Sequence, residues 1–349
     1  MKRIAMRLFG LAAVSALAAT APVHAQDIAA LSKLTGPERE AKLIEGARKE
    51  GQVTVYGSLV GKDVGPLGDA FQKKYGVKLN YWRAGSEKVL QRAVTEARAG
   101  RREMDVMETN GPELEAASRE KVFAPVTTVH EKDLLPAALR PDRMWTGLRL
   151  NMFVQAYNTK AVQKADLPKT YADLLDPKWK GKLGIEAEDT DWFGAVVSGM
   201  GEAQGQKFFR DLVTKNGVGV RKGHTLLAAL VASGDVPLAL TVYNHNADKL
   251  KKEGAPIDWF TIQPAYARVN GIAVARNPPH PHAALLFFDF MLGPEGQAIL
   301  QKAQYIPTNL TLKDPNLRPD LKFIDPRIVL DEQDKWSKLY EEIITRQAR

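Results

Sequence analysis

The hydrophobic positions along the chain follow two periods, one typical of strands and one typical of helices. Residues 53–56 form a β-branched and aromatic run, and the apolar positions between 64 and 75 recur at helical spacing. The same order is repeated by strands at 77–82 and 105–107 and by helices that begin at Ser86 and Gly111. This alternation predicts an α/β fold with a largely parallel sheet and helices on both faces.

A second series of strands and helices follows a central segment. It consists of strands predicted at 153–157, 183–185, 238–242, 259–263 and 271–275, and of helices predicted at 192–199, 225–233, 281–292 and 294–303. No Gly/Ser-rich linker and no internal repeat separates the two series. Two lobes without a flexible linker favour short crossings between packed domains, with a ligand cleft between them.

The N-terminal segment has the pattern of an export signal. An apolar run over 8–20 follows three basic residues, Lys2, Arg3 and Arg7. Residues 23–25 then place small side chains at the −3 and −1 positions of a cleavage site. We therefore expect a signal peptide over residues 1–25, export by the Sec route, and a periplasmic mature chain.

Charge and cysteine content exclude several classes of function. The chain of 349 residues has no cysteine and a formal net charge of +8, and removal of the signal peptide with its three basic residues leaves +5. A chain without cysteine has no disulfides, no cysteine-ligated zinc, no iron–sulfur cluster and no lipid-bearing cysteine. No basic run with interleaved aromatic residues points to nucleic acid. We expect a monomer.

Several motifs resemble one known family. They are YADLLDPKWKGKL at 171–183, AALLFFDFMLGPEGQ at 283–297, Tyr-Ile-Pro at 305–307, Gly-His-Thr at 223–225, and the segments 145–151 and 157–159. The chain resembles periplasmic substrate-binding proteins of ABC importers, in the branch that includes the ferric-iron-binding proteins. The resemblance implies a type II fold of two α/β lobes on a two-strand hinge, capture of a small solute by lobe closure, and partners in an ABC permease and its ATPase at the inner membrane.

The expected domains follow from the lobe pattern and this resemblance. We assign residues 26–150 together with 268–349 to the first lobe, and residues 151–267 to the second.

Four loops follow strands or open helices at positions where parallel α/β folds bind ligands. They are Gly57-Ser58-Leu59, Gly85-Ser86, Glu108-Thr109-Asn110 and Asp189-Thr190-Asp191-Trp192. Small polar side chains and free backbone N–H groups at helix N-termini suit a carboxylate, phosphate or phosphonate group. The alternative for each single loop is ordinary helix capping.

A fifth candidate segment is Tyr243-Asn244-His245, which ends one strand and opens a helix. We expect Tyr243 and Trp192 to provide flat walls for a ligand, and Arg149 to pair with an acidic group. Packing in the core is the alternative for Trp192, and helix capping is the alternative for His245.

The residues available for iron differ from those of the iron-binding relatives. Those relatives carry two adjacent tyrosines where this chain has Tyr243 followed by Asn244, a histidine near Val60, and a glutamate near Asn110. Ferric iron needs hard anionic oxygen ligands. We therefore assign no metal ligand and no cofactor, and we expect an organic solute that is anionic or zwitterionic.

An acidic cluster lies near the fourth loop. It consists of Glu186, Glu188, Asp189 and Asp191. One interpretation is that these are solvated charges, one of which caps the helix. The other is that they bind a cationic group of the ligand or a metal ion.

No catalytic residue is assigned. The chain contains no Gly-x-Ser-x-Gly elbow, no P-loop and no His-Glu-x-x-His motif. The expected function is the solute-binding component of an ABC importer, not an enzyme. The alternatives are a ferric-iron-binding protein of an iron importer and a periplasmic sensor that presents its ligand to a membrane receptor.

Overall fold

The computed structural model describes residues 28–346, so the predicted signal peptide at 1–25 lies outside the described residues. The helices are α1 (Ile28–Ser32), α2 (Gly36–Glu50), α3 (Gly61–Tyr75), α4 (Ser86–Arg98), α5 (Gly111–Arg119), α6 (Thr190–Met200), α7 (Glu202–Asn216), α8 (His224–Ser233), α9 (Asn244–Lys252), α10 (Pro281–Leu292), α11 (Pro294–Lys302), α12 (Pro326–Asp331) and α13 (Gln333–Tyr340).

The strands are β1 (Gln52–Gly57), β2 (Lys78–Arg83), β3 (Val106–Asn110), β4 (Thr146–Asn158), β5 (Leu183–Glu186), β6 (Gly219–Arg221), β7 (Leu238–Tyr243), β8 (Ile257–Phe260), β9 (Tyr266–Val274), β10 (Ile306–Pro307) and β11 (Lys322–Ile324). Their order across the sheet is β2-β1-β3-β9-β4-β7-β5-β6. The pairs β1–β2, β1–β3, β5–β6 and β5–β7 are parallel, which confirms the predicted α/β class.

Two long antiparallel strands, β4 and β9, join the two halves of the sheet. The first half of β4, from Thr146 to Met152, pairs with β9, and the second half, from Phe153 to Asn158, pairs with β7 and β8. We call the half that contains β1, β2 and β3 the first lobe, and the half that contains β5, β6 and β7 the second lobe. The polypeptide crosses between them within continuous strands, so the connection is a hinge without a loop.

The C-terminal helix packs on the second lobe, whereas the predicted domains place its residues in the first. Trp336 and Tyr340 of α13 contact Phe193 of α6 with ring centroids 6.2 and 5.3 Å apart. Gly194 permits this approach, because a Cβ there would lie 2.9 Å from the Trp336 ring. These contacts favour a division in which α13 belongs with the second lobe, and the lobe boundaries themselves stay a proposal.

Each lobe has its own aromatic core. In the first lobe α10 is apolar on nearly all sides and is buried, with Phe287 meeting Phe71 of α3 edge to face at 5.1 Å. In the second lobe Phe193 and Phe209 pack with centroids 4.8 Å apart. Within residues 28–346 no single helix is long and apolar enough to cross a membrane, and only the bent pair α10 and α11 matches by length and composition.

Strand β9 is longer than the sequence predicts. It begins at Tyr266, five residues before the predicted start at 271, and includes Arg268 and Asn270. Both side chains are polar, so this part of β9 lacks the run of apolar residues by which a strand is recognised. They lie on one face of β9, because alternate residues of a strand share a face. This face is where the two lobes meet.

Candidate functional site

The first predicted loop is occupied by a carboxylate of the chain itself. Glu108, buried in the middle of β3, accepts hydrogen bonds at Oε2 from the backbone N–H of Ser58 at 3.2 Å and of Leu59 at 3.1 Å. The hydroxyl of Tyr81 donates to the same oxygen at 2.7 Å. A Cβ on Gly57 would overlap the Tyr81 hydroxyl, so this close approach requires glycine. The backbone donors of the loop are thus already bound to an internal carboxylate.

Arg149 is also engaged within the protein. Its guanidinium donates to Glu108 Oε1 at 3.0 Å and to Asn151 at 2.8 Å, and it lies over the ring of Tyr305 at 4.6 Å. Its side chain is only 4% exposed. This pairing differs from the expected contact with an acidic solute, because the nearest carboxylate, Glu108, is buried beside it and needs a charge partner.

Asparagines connect the first lobe to the hinge. Asn270 of β9 donates to Asn110 Oδ1 at 2.7 Å, and Asn110 donates to the hydroxyl of Ser86 at 2.8 Å. Ser86 is the first residue of α4, so this chain of amides ends at a helix N-terminus. Nearby, burial raises the pKa of Glu113 to about 7, although the Arg268 charge opposes the rise.

In the second lobe an arginine from the hinge is bound by an aspartate and a tyrosine. Arg268 forms two hydrogen bonds to Asp191, at 2.6 and 2.5 Å, and donates to the Tyr243 hydroxyl at 2.7 Å. Burial raises the pKa of Tyr243 well above its ordinary value, although Arg268 opposes the rise, so its side chain is a neutral phenol. The pairing fixes the second lobe against β9.

A carboxylate–imidazole cluster lies beside this arginine. His224 Nε2 is 3.1 Å from Asp189 Oδ1, and Glu186, Asp189 and His224 each offer a ligand atom within 4.8 Å of the other two. Asp189 is buried, and its other oxygen makes no hydrogen bond of normal geometry to any residue of the described range 28–346. The cluster therefore has unused capacity for a ligand.

A row of rings runs from this cluster to the first lobe. His224 stacks on Tyr243 with centroids 3.6 Å apart, Tyr243 lies 5.6 Å from His245, and His245 lies 4.4 Å from Tyr305 of the first lobe. Burial lowers the pKa of His245 well below its ordinary value, so this ring is neutral. The row therefore connects the second lobe to Tyr305 of the first lobe.

Four predicted site residues lie elsewhere or have other partners. Trp192 belongs to the aromatic core of the second lobe, where its ring contacts Tyr171 and Phe209, because its position on α6 faces inward. Asn244 accepts a hydrogen bond from the backbone of β4. Gly85 is exposed before α4, and Thr190 is half-buried at the start of α6.

The remaining predicted residue, Thr109, is buried in β3 with a hydroxyl that has no hydrogen bond. The tertiary structure thus brings Asp189, Asp191, Tyr243 and His245 together on one side of the junction, and Ser86 and Asn110 on the other.

The sequence analysis did not identify four residues at the junction as site residues: Glu113, His224, Arg268 and Asn270. A signal for His224 existed, since it follows β6, and the carboxyl ends of parallel strands meet at one edge of a sheet. No signal in the sequence identified Arg268 and Asn270, because the part of β9 that contains them was not predicted to be a strand.

Two α/β lobes, a hinge of two continuous strands and a buried polar junction between the lobes are the features of a solute-binding protein of the type II fold. The chain belongs to the family of bacterial extracellular solute-binding proteins, whose model matches residues 67–321.

Similar proteins share the fold over most of their length. Iron uptake protein A1 of Synechocystis is 25% identical over 288 residues, which is 77% of this chain and 79% of that protein. Iron-bound HitA from Pseudomonas aeruginosa has a TM-score of 0.73 at 24% identity, over 84% of this chain and 99% of HitA.

The periplasmic binding protein AfuA from Actinobacillus pleuropneumoniae, with fructose-6-phosphate bound, has a TM-score of 0.71 at 19% identity, over 85% of this chain and 99% of AfuA. The names of the relatives are those of binding and uptake proteins, which confirms the expectation that this chain is not an enzyme.

Proposed function

We propose that this protein captures a small polar organic solute with an anionic group, either an acid or a zwitterion, between its two lobes. Closure of the lobes around the solute would present the loaded protein to an ABC permease and its ATPase at the inner membrane. Family membership supports the solute-binding role. The N-terminal pattern of residues 1–25 supports a periplasmic location.

The observation that carries this proposal is the unused hydrogen-bonding capacity at the lobe junction. Among the described residues, buried atoms without a hydrogen bond include Asn270 Oδ1, Glu113 Oε2 and His245 Nδ1. Buried polar groups are almost always paired in folded proteins, and an unpaired one costs about 1–3 kcal/mol. A polar solute held between the lobes would supply the missing partners.

The anionic group of the solute is best placed at the N-terminus of α4. There Ser86 and Asn110 lie next to free helical N–H groups, and Asn270 connects them to the hinge. Glu108 already binds the donors of the Gly57–Leu59 loop, so a second anion there would be repelled. The proposed site therefore excludes that loop and Arg149.

Ferric iron is the second candidate, because relatives carry iron in their names and the junction holds an acid–histidine cluster. The tyrosine chemistry opposes it. The Tyr243 hydroxyl accepts a hydrogen bond from Arg268, and its neighbour, Asn244 in place of a second tyrosine, accepts one from the backbone of β4. Fe³⁺ prefers anionic oxygen ligands, so an organic solute fits these residues better.

The test is native mass spectrometry of the freshly purified mature protein, with elemental analysis of the same sample. We expect a bound organic molecule, less of it in Asn270→Ala, and an unchanged amount in Asn80→Ala, a matched control on the outer strand β2. One iron per chain without an organic molecule would replace the proposal with iron binding. Equal retention by both variants would contradict the proposed site.

A further inference from the structure

Three metal-ligating side chains of the second lobe meet at one edge of its sheet. Glu186 ends β5, Asp189 lies in the loop that follows, and His224 begins α8 soon after β6. Because β5 and β6 are parallel, with Glu186 opposite Arg221, their carboxyl ends bring these residues together. All three belong to the second lobe, so the cluster forms without closure of the two lobes.

The cluster has acceptor capacity that the described residues leave unused. Asp189 Oδ2 is buried and makes no hydrogen bond of normal geometry within residues 28–346, and the Asp189 side chain is only 1% exposed. Glu186 accepts one backbone N–H at each carboxylate oxygen, from Gly223 at 2.7 Å and from Glu188 at 2.5 Å. A carboxylate has about four acceptor sites, so Glu186 also keeps lone pairs for a ligand.

The cluster brings buried carboxylates together. Glu186, Asp189 and Asp191 are buried, and Arg268, the one arginine within residues 28–346 that contacts them, is bound to both oxygens of Asp191. The same guanidinium reaches Asp189 only at 3.9 Å. Glu186 and Asp189 are thus two buried carboxylates side by side, and a cation bound between them would offset their mutual repulsion.

We propose that Glu186, Asp189 and His224 bind a divalent transition-metal ion. One imidazole and two carboxylates form a nitrogen–oxygen donor set that suits Zn²⁺ or Mn²⁺. His224 Nε2 and Asp189 Oδ1 lie 3.1 Å apart, and a ligand atom of Glu186 lies within 4.8 Å of both, so a small movement of the Glu186 side chain would bring all three onto one ion with bonds of about 2.0–2.2 Å. Tyr243, stacked on His224, fixes the orientation of the imidazole.

This site goes beyond the proposed capture of an organic solute, and it is tested with metal alone. The full mature chain is stripped with a chelator and titrated with ZnCl₂ and with MnCl₂ by calorimetry. Wild type is expected to bind one ion per chain with at least one of the two metals. Asp189→Asn and His224→Gln are each expected to lower the affinity by about 100-fold.

His282→Gln is the matched control, because His282 pairs with Glu50 in the first lobe and lies outside the cluster. It is expected to bind the metal like wild type. Circular dichroism of the metal-free variants confirms that each is folded, and Asp189→Glu provides a second variant that keeps the charge. The ion is also expected to raise the melting temperature of wild type and not that of His224→Gln.

Absence of saturable binding of both metals to folded wild type would overturn the proposal. Equal metal affinity of wild type and both variants would also overturn it. Ethanolammonium is the probe for an organic cation: binding of this probe, in place of the metals and with the same dependence on Asp189, would assign the cluster to an amine. Each of these outcomes leaves solute capture, which is measured through Asn270, to be judged by its own experiment.

Discussion

Lys249 of the second lobe lies 2.7 Å from Asp63 of the first lobe, and the two form a buried ion pair across the junction. The hydroxyl of Tyr305 donates to the same carboxylate at 2.7 Å, and the Lys249 ammonium lies 4.4 Å from the centre of the Tyr305 ring. Burial lowers the pKa of Lys249, although Asp63 opposes the fall. The pair is therefore a direct charged contact between the two lobes.

Loss of this pair should open the protein. We expect Lys249→Met to leave Asp63 buried without its charge partner and to destabilise the closed form by about 3 kcal/mol. Small-angle X-ray scattering should report a larger radius of gyration. Lys62→Met is the control, since Lys62 and Glu253 form an exposed interlobe pair at 3.6 Å that contributes little. Equal radii for Lys249→Met and Lys62→Met would contradict the role of the buried pair.

Substitution of Trp192 should affect stability first. Its ring is 1% exposed and packs between Tyr171 and Phe209, so Trp192→Ala leaves a cavity that we expect to cost about 3–5 kcal/mol. Urea unfolding followed by circular dichroism measures this change. Leu226→Ala, at a half-exposed position on α8, should change stability little. A Trp192→Ala protein as stable as wild type would contradict the core position of Trp192 and favour its predicted place in the ligand cleft.

Glu113 should make the protein less stable as the pH rises. Its ordinary pKa is 4.5 and burial raises it to about 7, so the folded state keeps a proton that the unfolded chain releases. Between these pH values stability therefore falls with increasing pH, by up to about 3 kcal/mol from this group. Glu113→Gln should remove this part of the fall. Parallel curves of stability against pH for Glu113→Gln and wild type between pH 5 and 8 would contradict this role of Glu113.

His245 should have the opposite effect. Burial lowers the pKa of His245 well below the ordinary value of 6.5. Below pH 6.5 the imidazole is therefore protonated in the unfolded chain but stays neutral in the folded state. Its contribution is therefore fully present above pH 6.5 and is lost as the pH falls. Urea unfolding from pH 7 to pH 5 should show a smaller loss of stability for His245→Asn than for wild type. An unchanged slope would mean that this imidazole is charged in the folded protein.

Much of the fold was accessible from the sequence. The strands that become β1, β5 and β7 were predicted within one or two residues, because their apolar runs are short and buried. The helix α10 was predicted at its true bounds, since Pro281 begins it and Gly293 follows its end. The family resemblance was confirmed by the match over residues 67–321.

The site was predicted less completely. Loops at strand ends were identified as ligand positions because chain direction alone determines which edge of a parallel sheet they occupy. The sequence could not show that Glu108 fills the Gly57–Leu59 loop, because Glu108 is 49 residues from Leu59 along the chain and only strand pairing brings it there. Trp192 was misplaced for a related reason: a helix start does not reveal which side faces the core.

The sequence by itself determined the α/β class, the family and the approximate strand ends, since these depend on local periodicity and on motifs that are contiguous along the chain. Only the tertiary structure decided which charged groups meet. Lys249 reaches Asp63 across 186 positions, and Arg268 reaches Asp191 across 77, through a strand whose polar residues conceal it. Ion pairs form between groups that are close in space, and these groups come close only after β4 and β9 have joined the two lobes.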